Sequence, residues 1–262
     1  MEKILEISKQ VLSIPVLASK HGADVDKLII YVHWLMGALF IGWIIYFLVA
    51  LMKFNHKANP KADYVGIKGH GSNYIELAVI IFEGVLLLGF AIPLWAGAVD
   101  HFPTAAEHPT VLRVIAQQFA WNVFYPGADG EFGRRDISLV TPENQWGFDK
   151  NDPKGKDDFS MLNEIHVVVN KPVIITLTSK DVVHSFKVIA MRVTQDAIPG
   201  VPIPLHFIPT KVGVYQINCA QLCGNGHSNM AGGRLYVDTQ EDFDKWFAAK
   251  VKSAGSGATS FE

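Results

Sequence analysis

Two long apolar stretches near the N-terminus constrain this chain more than any other feature of its sequence. Residues 28–52 contain no Asp, Glu, Lys or Arg, and residues 77–99 contain one carboxylate, Glu83. Roughly 20 apolar residues in a helix cross the hydrocarbon core of a bilayer, whereas a buried helix of a soluble protein is rarely so long or so uniformly apolar. The sequence therefore predicts a transmembrane helical hairpin over residues 28–99.

The charges outside the two spans predict how the hairpin is oriented. The loop 53–76 carries four Lys and two acids, whereas residues 1–27 carry four of each. Because basic loops stay in the cytoplasm, we expect loop 53–76 inside and both chain ends outside. Residues 1–27 make a poor signal peptide, since their apolar run is short and contains Ser13 and Pro15. They are interpreted as an extracytoplasmic segment with an amphipathic surface helix that enters the first span.

From residue 100 onward the composition becomes that of a β-rich domain. Residues 100–110 are interpreted as a linker, residues 111–252 as the domain and residues 253–262 as a flexible tail. Short β-rich runs separated by Gly and Pro turns predict a Greek-key sandwich or barrel, followed by a helix from Thr239. The predicted strands are 111–121, 136–140, 164–169, 173–178, 184–189, 212–218 and 234–237. A net charge of −2 gives no support for nucleic-acid binding.

Both cysteines of the chain lie in one short loop with a spacing typical of a metal site. The pattern is Cys219-x3-Cys223-x3-His227-x2-Met230, and thiolate, imidazole and thioether together favour copper or zinc. For the cysteines alone, a disulfide is the alternative, but it leaves His227 and Met230 unexplained. A structural zinc site is bound by Cys and His and does not include Met. His184 is the best candidate for a second imidazole. The second cysteine suggests two thiolates that bridge two metal ions.

This loop, residues 181–186 and residues 196–200 resemble subunit II of haem–copper cytochrome c oxidase, and the resemblance extends over nearly the whole chain. It implies a cupredoxin-like domain that is anchored by the two helices and holds the dinuclear copper centre CuA. It also implies that the two cysteines bridge two copper ions and that each histidine binds one. The implied copper ligands are His184, Cys219, the backbone carbonyl of Gln221, Cys223, His227 and Met230.

The same resemblance implies a function and a set of partners. The chain would be the electron-relay subunit of a proton-pumping oxidase, with its CuA domain on the outer face of the membrane. We assume the bacterial inner membrane, whose outer face is periplasmic; a mitochondrial membrane would give the same topology. It would take electrons from a cytochrome c-type donor and pass them to haem in subunit I, where dioxygen is reduced to water. Other oxidase subunits are implied as further partners. No C-x-x-C-H motif for covalent haem occurs in the chain, so no haem of its own is expected.

Two other functions remain as alternatives at this stage. The first is the CuA subunit of a related nitric oxide reductase, which Gln221 favours. The second is a membrane-tethered copper-binding module, which would need an exposed mononuclear site rather than two bridging cysteines.

Several further positions acquire roles through the resemblance. Many family members carry Glu at position 221 and use it to bind Mg²⁺ at the boundary with subunit I, so the uncharged Gln221 weakens that site. Phe119 occupies the position of the aromatic residue that receives the electron, and Trp121 is a second candidate, with packing under the copper loops as an equal alternative. Glu76 matches a residue at the mouth of a proton channel into subunit I. Glu83 has no counterpart.

Overall fold

The chain divides into two units, which are described separately. The structure is a computed structural model that describes residues 2–61, 64–66 and 68–255. One unit comprises the chain up to Ile14 together with Ala23–Asp100, and the other comprises Pro15–Gly22 together with the chain from His101 onward. Residues 256–262, most of the predicted flexible tail, lie outside the described residues.

The first unit is helical and contains the two predicted spans. Both the helix Gly22–Lys53 and the continuous helical segment Gly71–Val99 are long and apolar enough to cross a membrane, and neither apolar window is buried in the protein. A π-helical turn interrupts the second span before Pro93, which lies at the start of the next helix, where a missing N–H is tolerated. The elements are α1 Glu2–Val11, α2 Gly22–Lys53, α3 Gly71–Leu86, the π-helical turn Leu87–Ala91 and α4 Ile92–Val99.

The N-terminal helix forms as expected but does not run into the first span. Residues 12–21 separate α1 from α2. Within the first unit, the indole Nε1 of Trp34 donates a hydrogen bond to Ser8 Oγ at 3.3 Å. The apolar side chains Ile4, Ile7 and Val11 of α1 are exposed.

The second unit is a two-layered β-domain. In the described part of the chain its strands form two five-stranded sheets, ordered β3-β2-β1-β5-β8 and β4-β10-β9-β6-β7. β1 pairs with β5 in parallel, as does β4 with β10, and the other pairs are antiparallel. This arrangement confirms the predicted cupredoxin-like class. The strands are β1 Thr110–Gln117, β2 Ala120–Tyr125, β3 Phe159–Leu162, β4 Glu164–Val168, β5 Val173–Ser179, β6 His184–Val188, β7 Val193–Ala197, β8 Ile203–Phe207, β9 Gly213–Cys219 and β10 Gly233–Asp238.

Two of the predicted strands are wrong. Residues 111–121 are not one strand, because the chain turns at Gln118 and Phe119 and β2 pairs back on β1. Both arms of this hairpin are largely buried, so their apolar residues read as one continuous run. Residues 136–140 form a 3-10 turn, in which the Asp136 carboxylate accepts a hydrogen bond from the Ser138 N–H at 2.9 Å.

A segment from the N-terminus adds to the β-domain, which the sequence did not predict. We call Pro15–Gly22 the strap. The Ala18 N–H donates to Ala190 O at 2.8 Å, and the Thr210 N–H donates to Ala18 O at 2.7 Å. Ser19 Oγ donates to Met191 O at 2.6 Å. Residues 1–27 are therefore not a separate segment, since the strap belongs to the second unit.

The C-terminal helix α5, Gln240–Gly255, begins where the sequence predicts and ends later. Thr239 Oγ1 caps it by accepting a hydrogen bond from the Asp242 N–H at 3.2 Å. The indole of Trp246 stacks on the His166 ring with 4.1 Å between centroids, which fastens α5 to β4. The helix extends three residues into the predicted tail.

Candidate metal centre

The candidate metal centre lies where two neighbouring strands and one loop meet. His184 is the first residue of β6, and Cys219 is the last residue of β9. These two strands pair, with Phe186 opposite Cys219. The chain then loops through Cys223 into the 3-10 turn His227–Gly232 and continues as β10.

The structure brings together all the predicted side chains of this site. The Sγ atoms of Cys219 and Cys223 are 3.9 Å apart, and both cysteines are free. Met230 Sδ lies 3.1 Å from His184 Nδ1 and 3.6 Å from Cys223 Sγ. His227 Nδ1 lies 3.4 Å from Cys223 Sγ. Two imidazoles, two thiols and one thioether thus converge on one place.

A backbone carbonyl completes this set of donor atoms. Gln221 O lies 3.0 Å from Cys219 Sγ, whereas the residue itself is exposed. The family resemblance implies a role for the carbonyl of Gln221 rather than for its side chain, and the carbonyl is the group that lies next to Cys219 Sγ.

The centre is shielded on its inner side and open on its outer side. His184 and Met230 are fully buried, and Cys223 is nearly so. Burial raises the pKa of the Cys223 thiol to about 11, and the neighbouring Cys219 adds to the rise because two adjacent thiolates repel each other. Cys219 and His227 are half-buried. A soft cation compensates the charge of two adjacent thiolates, so the donor set fits copper.

A hydrogen-bond network that the sequence did not predict orients the buried histidine. Asp181 Oδ1 accepts from His184 Nε2 at 2.9 Å, which leaves Nδ1 facing the sulfurs. Asp181 Oδ2 accepts from the Gln118 N–H at 2.7 Å, and Gln118 Nε2 donates to Cys223 O at 2.7 Å. Burial alone would raise the pKa of Asp181, but the hydrogen bonds from Gln118 and His184 hold it below its ordinary value. The sequence signal was a carboxylate three residues before a candidate ligand.

The structure separates the two aromatic candidates for receiving an electron. Trp121 is fully buried, and its indole Nε1 donates to Met230 O at 3.0 Å. This position under the metal loop favours the packing interpretation. Phe119 is half-buried and lies against the outer part of the loop, where a side chain at Gly226 would overlap its ring.

The two acidic residues of the second span lie on α3. Glu76 is in its first half and Glu83 is in its last turn, and both are exposed. Seven residues are about two helical turns, so the two carboxylates share one face of α3. Neither forms a hydrogen bond or an ion pair within the residues that the structure describes.

Together, the fold and the site define a class of protein: a membrane-anchored cupredoxin-like domain with a sulfur- and imidazole-rich candidate metal centre. Residues 110–232 match the family described as cytochrome c oxidase subunit II, periplasmic domain. The alternative cytochrome c oxidase subunit 2 of Bradyrhizobium diazoefficiens is 30% identical over 88% of this chain and 82% of the relative. This chain therefore belongs to the cytochrome c oxidase subunit II family.

Two further comparisons cover about half of this chain. Cytochrome c oxidase subunit 2 of Thermostichus vulcanus is 48% identical over 136 residues, which are 52% of this chain and 32% of that protein. The crystal structure of the periplasmic domain of cytochrome oxidase subunit II from Bradyrhizobium japonicum is 26% identical and has a TM-score of 0.40. It covers 55% of this chain and 94% of that domain.

Proposed function

We propose that this chain is the electron-relay subunit of a proton-pumping cytochrome c oxidase and that its β-domain holds a dinuclear copper centre. The observation that carries the proposal is the convergence of two imidazoles, two thiols, one thioether and one carbonyl at the ends of β6 and β9. The proposed copper ligands are His184, Cys219, the carbonyl of Gln221, Cys223, His227 and Met230.

The protein around the centre supports a relay more than a catalyst. When bound, the copper pair would accept and release one electron at a time. Asp181 fixes the His184 ring, and Trp121 fixes the turn that carries Met230. Ligands on two paired strands change position little when the charge of the site changes, because the strands and their buried neighbours form a rigid scaffold.

Electrons would reach the centre from a cytochrome c-type donor through the outer part of the metal loop. Phe119 lies there between the protein surface and the loop backbone. Leu222, which is 79% exposed, lies between the Gln221 carbonyl and Cys223 and offers an apolar contact to the donor. Trp121 lies deeper and serves packing instead.

Protons would enter at the other side of the membrane. With loop 53–76 in the cytoplasm, Glu76 lies at the cytoplasmic end of α3, where we propose that it passes protons to subunit I. The strap supports this orientation, because it joins the residues just before α2 to the β-domain. Both ends of the hairpin then belong on the outer face of the bacterial inner membrane.

Oxygen reduction would take place in subunit I, and other oxidase subunits would complete the complex. We propose that a Mg²⁺ at the boundary with subunit I, if it binds, is held weakly, because Gln221 is uncharged. The complex would receive its electrons through this chain, and this chain itself would carry no haem.

Copper reconstitution of the full chain in detergent tests the proposal. We expect a paramagnetic resonance spectrum with hyperfine structure from one electron shared by two copper nuclei. The variant Cys219→Ser should lose this pattern, and the control His101→Gln, at an exposed histidine, should keep it. A single-nucleus pattern in the unsubstituted chain would contradict the dinuclear proposal. Turnover of the purified complex with dioxygen and with nitric oxide distinguishes the two reactions.

A further inference from the structure

A cationic cleft lies on the β-domain away from the metal centre. It has a volume of about 690 Å³ and lies on the outer face of the sheet that contains β1 and β5. Its polar lining includes Arg113 from β1, Thr176 and Thr178 from β5, and Arg134, Arg135, Asp152 and Lys154 from the loop between β2 and β3.

Two of these cations form no ion pair with the described part of the protein. Arg134 pairs with Asp149 at 2.8 Å, and Lys154 pairs with Glu131. In contrast, neither Arg113 nor Arg135 forms an ion pair among the residues that the structure describes. Asp158 attracts Arg113 electrostatically but lies beyond ion-pair distance.

Asp152, the carboxylate that lines the cleft, is already engaged by the backbone. Its Oδ2 accepts from the Arg134 N–H at 2.7 Å, and its Oδ1 accepts from the Lys154 N–H at 3.1 Å. It therefore leaves the two unpaired guanidinium groups available to another anion.

Both guanidinium groups are held in place by aromatic rings. Arg113 lies 4.1 Å from the centroid of the Phe132 ring. Arg135 lies 5.3 Å from the Phe124 ring and 5.1 Å from the Phe148 ring. Stacking of this kind leaves the N–H edges of a guanidinium free to bind an oxyanion.

Few of these N–H donors are used by the protein. Arg135 Nε donates to Trp146 O at 2.8 Å, and Arg113 donates one weak hydrogen bond to Gly133 O at 3.4 Å. Within the described residues, the terminal nitrogens of Arg135 have no acceptor. Burial lowers the pKa of Arg135 to about 10, and repulsion from Arg113 adds to the decrease, so two like charges are held close together.

We propose that this cleft is a binding site for a small oxyanion of the phosphate or carboxylate class, held by Arg113 and Arg135. Guanidinium groups match the geometry of such anions through paired N–H donors. The Thr176 hydroxyl on the floor of the cleft offers a further donor. The bound anion would pair with two guanidinium groups that form no ion pair among the described residues.

The test uses the full chain in detergent and measures its thermal unfolding with inorganic phosphate, with succinate, and with sodium chloride at matched ionic strength. We expect a saturable rise in Tm with phosphate, succinate or both, and no such rise with chloride. The anion that produces the rise identifies the ligand class. Arg135→Gln should weaken the binding by roughly tenfold or more, the loss expected for one charge-assisted pair.

Two additional variants keep the result decisive. Lys211→Gln removes an exposed charge elsewhere and should bind as the unsubstituted chain does. Arg113→Gln should weaken anion binding as Arg135→Gln does. Because two separate variants are compared, a folding defect in one of them cannot by itself explain the loss of binding. The proposal would be overturned if neither phosphate nor succinate raised Tm in a saturable way. It would also be overturned if both arginine variants bound the anion as tightly as the unsubstituted chain.

Discussion

At the scale of single residues, the metal centre depends on side chains that do not face the metal. Asp181 turns His184 so that Nδ1 points to the sulfurs, and Trp121 holds the carbonyl of Met230. A motif in the sequence identifies groups by their chemical type, so it indicated the donor residues. It could not identify Gln118, whose contacts depend on which strands become neighbours, and it marked Asp181 only as a carboxylate three residues before a candidate ligand.

The first prediction concerns the carboxylate behind His184. Asp181→Asn should lower copper affinity by about 10–100-fold, because residues that orient a metal-binding histidine typically contribute this much. Competition with a copper chelator measures the change. Asp196→Asn, at an exposed carboxylate on β7, is the matched control and should leave the affinity unchanged. Equal copper affinities of the two variants would contradict an orienting role for Asp181.

The second prediction separates the two aromatic residues. Phe119→Leu should slow reduction by cytochrome c more than Trp121→Phe does, because Phe119 lies at the outer part of the loop and Trp121 is buried. Trp121→Phe should instead lower the free energy of unfolding by about 1–3 kcal/mol, since Met230 O loses its buried donor. Stopped-flow measurement of the reduction rate at equal copper content decides between them. If cytochrome c reduced Trp121→Phe more slowly than Phe119→Leu, the assignment would be reversed.

The third prediction is a pH dependence of stability at Asp158. Burial raises the pKa of this carboxyl to about 6, above its ordinary value of 3.8, despite the hydrogen bond from the Gly133 N–H. The folded state therefore holds the proton more tightly than the unfolded state does. The protonated Asp158 carboxyl therefore contributes to stability at acidic pH, and this contribution is lost as the pH rises from about 4 to about 6. The free energy of unfolding should fall by about 1–3 kcal/mol over that range.

The variant Asp158→Asn checks this sign. The introduced amide does not ionise, but its oxygen can still accept the hydrogen bond from the Gly133 N–H. The stability of this variant should therefore not show the fall between about pH 4 and about pH 6 that the unsubstituted chain shows. Urea unfolding at pH 4.5, 6 and 7.5 measures the difference. A difference that grows in favour of the unsubstituted chain as the pH rises would contradict the prediction.

At the scale of elements, the sequence predicted the strands inside each sheet better than those at the edges. Three of the strands that were missed, β3, β7 and β8, lie at sheet edges, whereas β2, an interior strand, was merged with β1. An edge strand pairs on one side only, so it tolerates residues that interrupt a β pattern. Pro204 lies within β8, and β7 carries exposed polar residues.

The fourth prediction concerns the strap. Ser19→Ala removes the hydroxyl that donates to Met191 O at 2.6 Å, in a place where Ser19 is nearly fully buried. The buried carbonyl then lacks its donor, so the free energy of unfolding of the β-domain should fall by about 1–3 kcal/mol. Denaturant unfolding followed by tryptophan fluorescence measures it. Ser72→Ala, at an exposed serine of the other unit, should have no effect.

At the scale of the whole molecule, hydropathy predicted the two spans and the cysteine-rich loop predicted the site, but neither could place the strap. The strap sequence is short, and its backbone hydrogen-bond partners lie about 170 to 190 positions away along the chain. Sequence periodicity reports only on neighbours within one element, so such a long-range pairing leaves no local pattern.

The fifth prediction is the orientation of the chain in the membrane. A cysteine introduced by Asn55→Cys should react with a membrane-impermeant thiol reagent only after cells are permeabilised. A cysteine introduced by Glu107→Cys should react in intact cells. Both are placed in a Cys219→Ser, Cys223→Ser background, so no native thiol competes. Labelling of the first in intact cells would reverse the proposed topology.

The strap also sets the order in which the fold is completed. It is synthesised before both spans, whereas its hydrogen-bond partners, Ala190, Ile208 and Thr210, are synthesised after them. Contacts between residues so distant in sequence form late, because a long loop must close first. The N-terminal strap must therefore wait on the outer side of the membrane until the rest of the β-domain arrives, and its docking completes that domain.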